Sequence, residues 1–402
     1  MKLDTLLTQN VFSSNSSGAV QVINFIDHLL EQALLKNASD IHIEPFEDKT
    51  LVRMRVDGTI VEYVTLKINV HNSLIARIKI LSELDIAERR RPQDGHFKVK
   101  QPDGYLNIRV SVIPTVFGEK AVLRLLSGNT KIDNSATMGM LEDDYDKLKK
   151  MLKSPNGIIY LTGPTGSGKT TTLYMILEEL SARQVNISTI EDPVEKNLPK
   201  INQMQVNPLA GLTFESGLRA LLRQDPDIIM VGETRDAETA SISVRSALTG
   251  HLVFSTLHTN DAAFSAIRLK DMGLEPYLIA NSMVGVVAQR LMRKVCPECA
   301  QEVVLTPEER EFTGGGIQTV KKACGCSACN HTGYKGRIAV HEILQIDKEV
   351  RRLITENAAV EEIKDYAVKN QQMRTLKQCA LTYLKSGITT MEEVLRVAYY
   401  EE

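Results

Sequence analysis

Gly163-Pro164-Thr165-Gly166-Ser167-Gly168-Lys169-Thr170 is the stretch on which the reading of this chain turns. It follows the apolar run Gly157-Ile158-Ile159-Tyr160-Leu161-Thr162, which reads as a buried strand, and it opens residues 169–180, whose apolar spacing predicts a helix. Gly163, Gly166 and Gly168 let the backbone curl so that N–H groups point at phosphate oxygens. The helix starting near Lys169 adds the positive end of its dipole. In such a loop Lys169 reaches the β- and γ-phosphates and the Thr170 hydroxyl holds Mg²⁺, with Thr171 completing the nucleotide-binding set. The spacing predicts a phosphate-binding loop for ATP with Mg²⁺.

Strands and helices alternate beyond the loop. Residues 186–190, 227–231 and 251–256 read as strands and 236–248 as a helix. This alternation predicts an α/β fold with a mostly parallel sheet covered by helices on both faces. Sites in such sheets form at the carboxyl ends of strands, which selects three candidates. Glu233 ends Asp225-Pro226-Asp227-Ile228-Ile229-Met230-Val231-Gly232-Glu233 and could reach Mg²⁺ or polarise an attacking water. Glu191 opens Glu191-Asp192-Pro193-Val194-Glu195, which could equally be an acidic turn. His258 lies in Ser255-Thr256-Leu257-His258-Thr259, although a lone histidine is more often structural.

Cys296-Pro297-Glu298-Cys299 and Cys326-Ser327-Ala328-Cys329 form a paired C-x-x-C arrangement. Four thiolates so spaced fit one tetrahedral structural Zn²⁺; free thiols or redox chemistry are the alternatives. The spacer of 26 residues between the pairs calls for a long intervening loop. Cys324 is an additional thiol able to compete as a ligand, and Cys379 reads as a packed core residue.

Before the loop, residues 19–127 read as an α+β module. A helix over 20–35 is followed by short alternating strands around 40–44 and 50–56, a tight turn at Asp57-Gly58, a helix over 72–84, and strands at 97–100, 105–112 and 121–126. Within it Arg89-Arg90-Arg91 forms a basic turn, and Arg109 and Arg124 lie on strands. Charge runs are usually solvated faces, but phosphoryl transfer also benefits from an arginine that neutralises developing charge. The polar residues 1–18 read as a flexible leader and 128–135 as a linker. Across 402 residues, 43% hydrophobic and 24% charged content with a net charge of −2 describe an ordinary globular chain. No basic field calls for nucleic acid. No apolar run reaches the ~18 residues of a membrane helix, and Met1-Lys2-Leu3-Asp4 does not open a signal peptide, so the chain reads as cytoplasmic.

Together, in this order, the motifs resemble the secretion ATPase superfamily that powers type II secretion and type IV pilus assembly. Matching stretches are Ala38-Ser39-Asp40-Ile41-His42-Ile43-Glu44, Arg53-Met54-Arg55-Val56-Asp57-Gly58, Pro92-Gln93-Asp94-Gly95, Arg109-Val110-Ser111, the phosphate loop and Glu191 to Glu195. Arg223-Gln224-Asp225-Pro226-Asp227, Gly232-Glu233, Thr256 to Asn260, Gly333 to Arg337, His341-Glu342 and Gly387-Ile388-Thr389-Thr390 complete the series. The resemblance implies a RecA-like ATPase domain over 136–402, containing a zinc module at 294–334, joined to a smaller PAS-like N-terminal lobe. It casts Glu191 to Glu195 as the family's Asp box, Gly232-Glu233 as its Walker B, and His258 as its His box. It makes Arg109 an arginine that approaches the phosphates and the four paired cysteines a zinc site.

It also implies a homo-hexameric motor, cytoplasmic and peripheral at the inner membrane, working with a membrane platform and cytoplasmic linker proteins and with no direct nucleic-acid contact. The alternatives are a low-turnover nucleotide-binding scaffold, or a pilus-retraction or DNA-uptake or transfer motor of the same superfamily. The cysteine module favours an assembly or secretion member. Two departures stand out. His96 occupies a position where a second phosphate-facing arginine is frequent, and a histidine replaces it only when protonated. The extra N-terminal docking domain of many members reads here as missing or reduced to the 18-residue leader.

Overall fold

The computed structural model describes residues 18–101, 104–126 and 137–399. The 128–135 linker lies outside the described residues, as does all of the leader but Gly18, which begins a helix. The chain divides into two compact units, residues 1–130 and 131–402.

In the first unit the order is α1 (Gly18–Leu35), β1 (Ala38–Pro45), β2 (Lys49–Val56), β3 (Thr59–Lys67), α2 (His71–Leu81), β4 (Gln93–Gln101), β5 (Gly104–Thr115) and β6 (Gly118–Leu126). The strands form one antiparallel sheet in the order β3-β2-β1-β6-β5-β4. Side chains alternate across a strand, and one parity here is apolar. Ile41, Ile43, Val52, Met54, Ile108, Val110 and Leu123 pack with Phe25, Ile26 and Leu29 of α1 and Leu74, Ile75 and Ile78 of α2. The other parity is charged. Arg55, Asp40, Arg124, Arg109 and His96 are successive register partners across β2, β1, β6, β5 and β4. Arg124 Nε donates to Asp40 Oδ1 at 2.9 Å, and Arg55 Nε lies 3.7 Å from Asp40 Oδ2.

The second unit begins with α3 (Glu142–Met151), β7 (Gly157–Thr162), α4 (Lys169–Leu180), β8 (Ile187–Glu191), β9 (Asn202–Gln205), α5 (Phe214–Leu221) and β10 (Ile228–Val231). It continues through α6 (Ala237–Leu248), β11 (Leu252–Leu257), α7 (Phe264–Asp271), α8 (Pro276–Ser282) and β12 (Met283–Val295). After β12 come β13 (Gln301–Val304), α9 (Pro307–Phe312), β14 (Thr319–Lys322) and β15 (Tyr334–Gln345). Four helices end it: α10 (Lys348–Thr355), α11 (Val360–Asn370), α12 (Leu376–Lys385) and α13 (Met391–Ala398).

Its main sheet runs β15-β12-β7-β11-β10-β8-β9, parallel throughout except for the antiparallel β12–β15 pair at one edge. Both faces are covered, as the alternation predicts. Ile158 and Tyr160 of β7 pack with Ala240, Val244 and Ala247 of α6 and with the C-terminal helices. Ile159 and Leu161 pack with Leu148 of α3 and Leu173, Ile176, Leu177 and Leu180 of α4. The sheet is larger than the sequence pattern suggests, because β9, β12 and β15 were not legible as strands; in the first unit the same holds of β3. Among the described residues no helix is long and apolar enough to cross a membrane.

Candidate active site

The parallel sheet brings the ends of β7, β11, β10 and β8 side by side, in that order. The loop after β7 is held in shape by close backbone approach. Gly163 (φ 147°) and Gly168 (φ 88°) adopt conformations that other L residues rarely accept. A Cβ on Gly163 would lie 2.4 Å from the Gln289 carbonyl, and one on Gly168 would lie 2.8 Å from Gln289 Nε2. Pro164, Thr165 and Gly166 form the exposed tip, Ser167 and Lys169 are buried, and Thr170 and Thr171 are half-buried at the start of α4.

The loop fits a phosphate. No side chain caps α4, leaving its first-turn N–H groups to an anion. Ser167 Oγ is buried with no hydrogen-bond partner among the described residues. Lys169 Nζ donates to the carbonyls of Gly163 at 2.7 Å and Pro164 at 3.1 Å. Burial, and then the Arg290 cation, bring the Lys169 ammonium down to about 8, against the opposing pull of Glu233.

Glu233, just past β10, is largely covered. Its Oε1 pairs with Arg235 at 2.6 Å, and its Oε2 lies 3.9 Å from His258 Nε2. His258, just past β11, is half exposed. Burial, followed by the charge of Lys169, pulls its imidazole below the usual range, so the neutral ring is favoured. Lys169, Glu233 and His258 therefore converge. Glu191, at the end of β8, stands apart in environment. It is buried, and both its oxygens accept hydrogen bonds: Oε2 from Tyr174, and Oε1 from Thr189 at 2.6 Å and Gln203 at 3.1 Å. The Tyr174 hydroxyl also accepts from the Glu195 amide at 3.1 Å, which ties the acidic loop to α4. Arg109 belongs to the first unit, in the charged row described above.

Four residues of the site neighbourhood escaped sequence reading. Arg235 carries a signal, standing two positions after Glu233. Tyr174 sits inside a helix pattern and looks like core. Gln289 and Arg290 lie in β12, far along the chain. Arg290 is buried and donates to the Asn260 carbonyl at 2.9 Å, joining the loop after His258 to the strand beside β7.

The cysteines form a second, separate centre. Sγ atoms of Cys296, Cys299, Cys326 and Cys329 all lie within 4.8 Å of one another. A tetrahedron with Zn–S bonds of about 2.3 Å has sulfur–sulfur edges of about 3.8 Å. The observed separations are 3.9 Å for Cys296–Cys326 and for Cys299–Cys329, and 3.8 Å for Cys326–Cys329. Burial opposes ionisation of Cys329, but the amides of Cys326 at 3.1 Å and Gly333 at 3.2 Å outweigh it and hold the thiol down to about 6. The donor set is four sulfurs with no open position, so a structural Zn²⁺ fits. Cys324 is exposed and outside the cluster, and Cys379 is buried in the main core as expected.

A phosphate-binding loop whose lysine, carboxylate and histidine converge at the carboxyl edge of a mostly parallel sheet defines a P-loop ATPase. Residues 15–396 match the model for type II/IV secretion system proteins, and the chain belongs to that family. The type II secretion system protein HxcR of Pseudomonas aeruginosa is 48% identical over 376 residues, covering 94% of this chain and 77% of that one. The type IV pilus assembly ATPase PilB of Thermus thermophilus is 46% identical over 379 residues, covering 92% of this chain but 42% of the relative. The ATPase DotB of Legionella pneumophila shares the fold, with a TM-score of 0.68, 24% identity, and coverage of 93% of this chain and 95% of that one.

Proposed function

We propose that this chain is the subunit of a hexameric motor that hydrolyses ATP to ADP and phosphate and drives assembly of a type II secretion pseudopilus or a type IV pilus. The observation that carries the reading is the convergence of Lys169, Glu233 and His258 around the loop. Lys169 and the backbone N–H groups from Thr165 to Thr171 bind the phosphates, with Gly163 and Pro164 shaping the entry to the loop. Thr170 holds Mg²⁺, which supplies charge neutralisation at the phosphate oxygens when bound. Glu233 orients and polarises the attacking water, for which its contact with the exposed Arg235 must give way. His258, as a neutral ring, donates a hydrogen bond toward the γ-phosphate and reports its presence to the loop that follows.

Glu191 assists at one remove, by fixing the Asp-box loop through Tyr174. Arg109 neutralises charge on the transferred phosphoryl group. The four cysteines hold zinc for structure. The setting proposed for it is a cytoplasmic ring, peripheral at the inner membrane through a platform protein, as the resemblance to the secretion ATPases implies; the relatives are components of secretion and pilus machines. The reading is tested by nucleotide binding and phosphate release. Lys169→Ala should lose binding, whereas Glu233→Gln should bind MgATP yet lose turnover. Equal turnover in Glu233→Gln and wild type would refute it.

A further inference from the structure

Gln289 belongs to none of the motifs that define the site, yet it touches the phosphate loop at both ends. It lies on β12 one residue after Ala288, the register partner of Thr162, where β7 gives way to the loop. Its side chain is buried, with 2% of its surface exposed. Nε2 donates to the Ser167 carbonyl at 2.8 Å, while Oε1 accepts from the Thr172 hydroxyl at 2.8 Å. The orientation of the amide is determined by chemistry, because the Ser167 carbonyl can only accept and therefore demands the NH₂ end. Its own backbone carbonyl packs beneath Gly163 and its Nε2 beneath Gly168, both too close to admit a Cβ.

We propose that Gln289 is a positioning residue for nucleotide binding, holding the Ser167–Gly168 peptide so that the Gly168 N–H faces the phosphates. A trans peptide is planar, with C=O and N–H on opposite sides. Anchoring the Ser167 carbonyl from the β12 side turns the Gly168 N–H to the other side, the concave face of the loop. Thr172, one turn into α4, clamps the amide from behind and prevents it from flipping. Glutamine suits the task because a primary amide presents a donor and an acceptor in one plane. A carboxylate of the same shape would set oxygen against oxygen at Ser167.

The inference rests on the nucleotide-binding reading above. Affinity for a fluorescent ATP analogue with Mg²⁺, together with kcat and KM, is measured for wild type, Gln289→Glu, Gln289→Met, Thr172→Val and the double variant Gln289→Met with Thr172→Val. Gln289→Glu should weaken nucleotide affinity by about 10- to 100-fold and raise KM in step, with kcat at saturation little changed. Thr172→Val should weaken affinity less, and the double variant should be no worse than Gln289→Met alone, since both act through one amide. Wild-type affinity in a folded Gln289→Glu would overturn the proposal. If that variant misfolds, seen as a collapsed melting temperature and lost zinc, Thr172→Val decides, and unaltered affinity there overturns the proposal as well. Failure of the wider reading looks different: the wild type itself would bind no nucleotide.

Discussion

Thr162 and Thr259 share a hydrogen bond of 2.6 Å between buried hydroxyls. Thr162 is the last residue of β7 before the phosphate loop, and Thr259 directly follows His258. The Thr259 amide also donates to Thr162 Oγ1 at 2.9 Å, and Thr259 Oγ1 reaches the Asp261 carbonyl at 2.9 Å and Ser265 Oγ at 3.0 Å. The loop carrying the histidine is thereby bolted to the strand that carries the phosphate loop. One strand further along, Thr256 Oγ1 donates to the Gly232 carbonyl at 2.8 Å, so the Glu233 turn joins the same network.

Thr259→Val keeps the shape and removes the hydroxyl. Buried partners left unsatisfied cost about 1–3 kcal/mol, measurable as a lower urea midpoint. Since His258 is placed by this bond, kcat should fall more than KM rises. A variant that is destabilised but kinetically normal would show the network to be structural alone.

Zinc content gives a second check. One zinc per chain is expected, lost in Cys299→Ser with Cys329→Ser and unchanged in Cys324→Ser, because Cys324 lies outside the cluster. Chelation should lower the melting temperature, because the metal's binding free energy is part of the folding free energy. Full zinc occupancy in the double variant would contradict the assignment.

His341 gives a pH dependence. It is fully buried, its Nε2 lacks a hydrogen-bond partner among the described residues, and burial pulls the ring down to about 3. An unfolded histidine titrates near ~6.5. Between these values the unfolded chain binds a proton that the folded chain refuses, so this group's contribution is complete above ~6.5 and is lost as pH falls, by up to about 1.4 kcal/mol per pH unit. Urea unfolding at pH 7 and pH 5 should show a steeper loss for wild type than for His341→Gln. Parallel losses would contradict the assignment to His341.

Arg109 is the register partner of Arg124 and of His96 in the charged row of the first unit, and the proposed function gives it a role on the transferred phosphoryl group. Arg109→Ala should lower kcat by about 1000-fold or more with nucleotide affinity nearly intact, as for an arginine acting on transition-state charge. A change confined to KM would assign it to ground-state binding instead.

The elements next to the motif were legible almost to the residue. The strand at 157–162 and the helix at 169–180 are β7 and α4 as observed, because an apolar run, three glycines and a helix-spaced pattern agree locally. β12 was not legible. Gln289, Arg290, Arg293 and Lys294 interrupt its apolar run, and what makes them acceptable inside a sheet lies far away in the chain: Ser167 and Thr172 for Gln289, Asn260 for Arg290, and buried Glu393 for Arg293. The site divides in the same way. Residues that would touch nucleotide carry local motifs, whereas Gln289, Arg290 and Tyr174, which shape them, are visible only through contacts. Glu191 was legible as an acid at a strand end, but not as one saturated by Tyr174, Thr189 and Gln203.

The most direct measurement is ATPase rate per subunit against protein concentration, for wild type and Glu233→Gln, with mass followed by light scattering. The account predicts a wild-type rate that rises as hexamers form and a Glu233→Gln protein that assembles alike but does not turn over. A rate that is flat, low and equal in both proteins would contradict the motor.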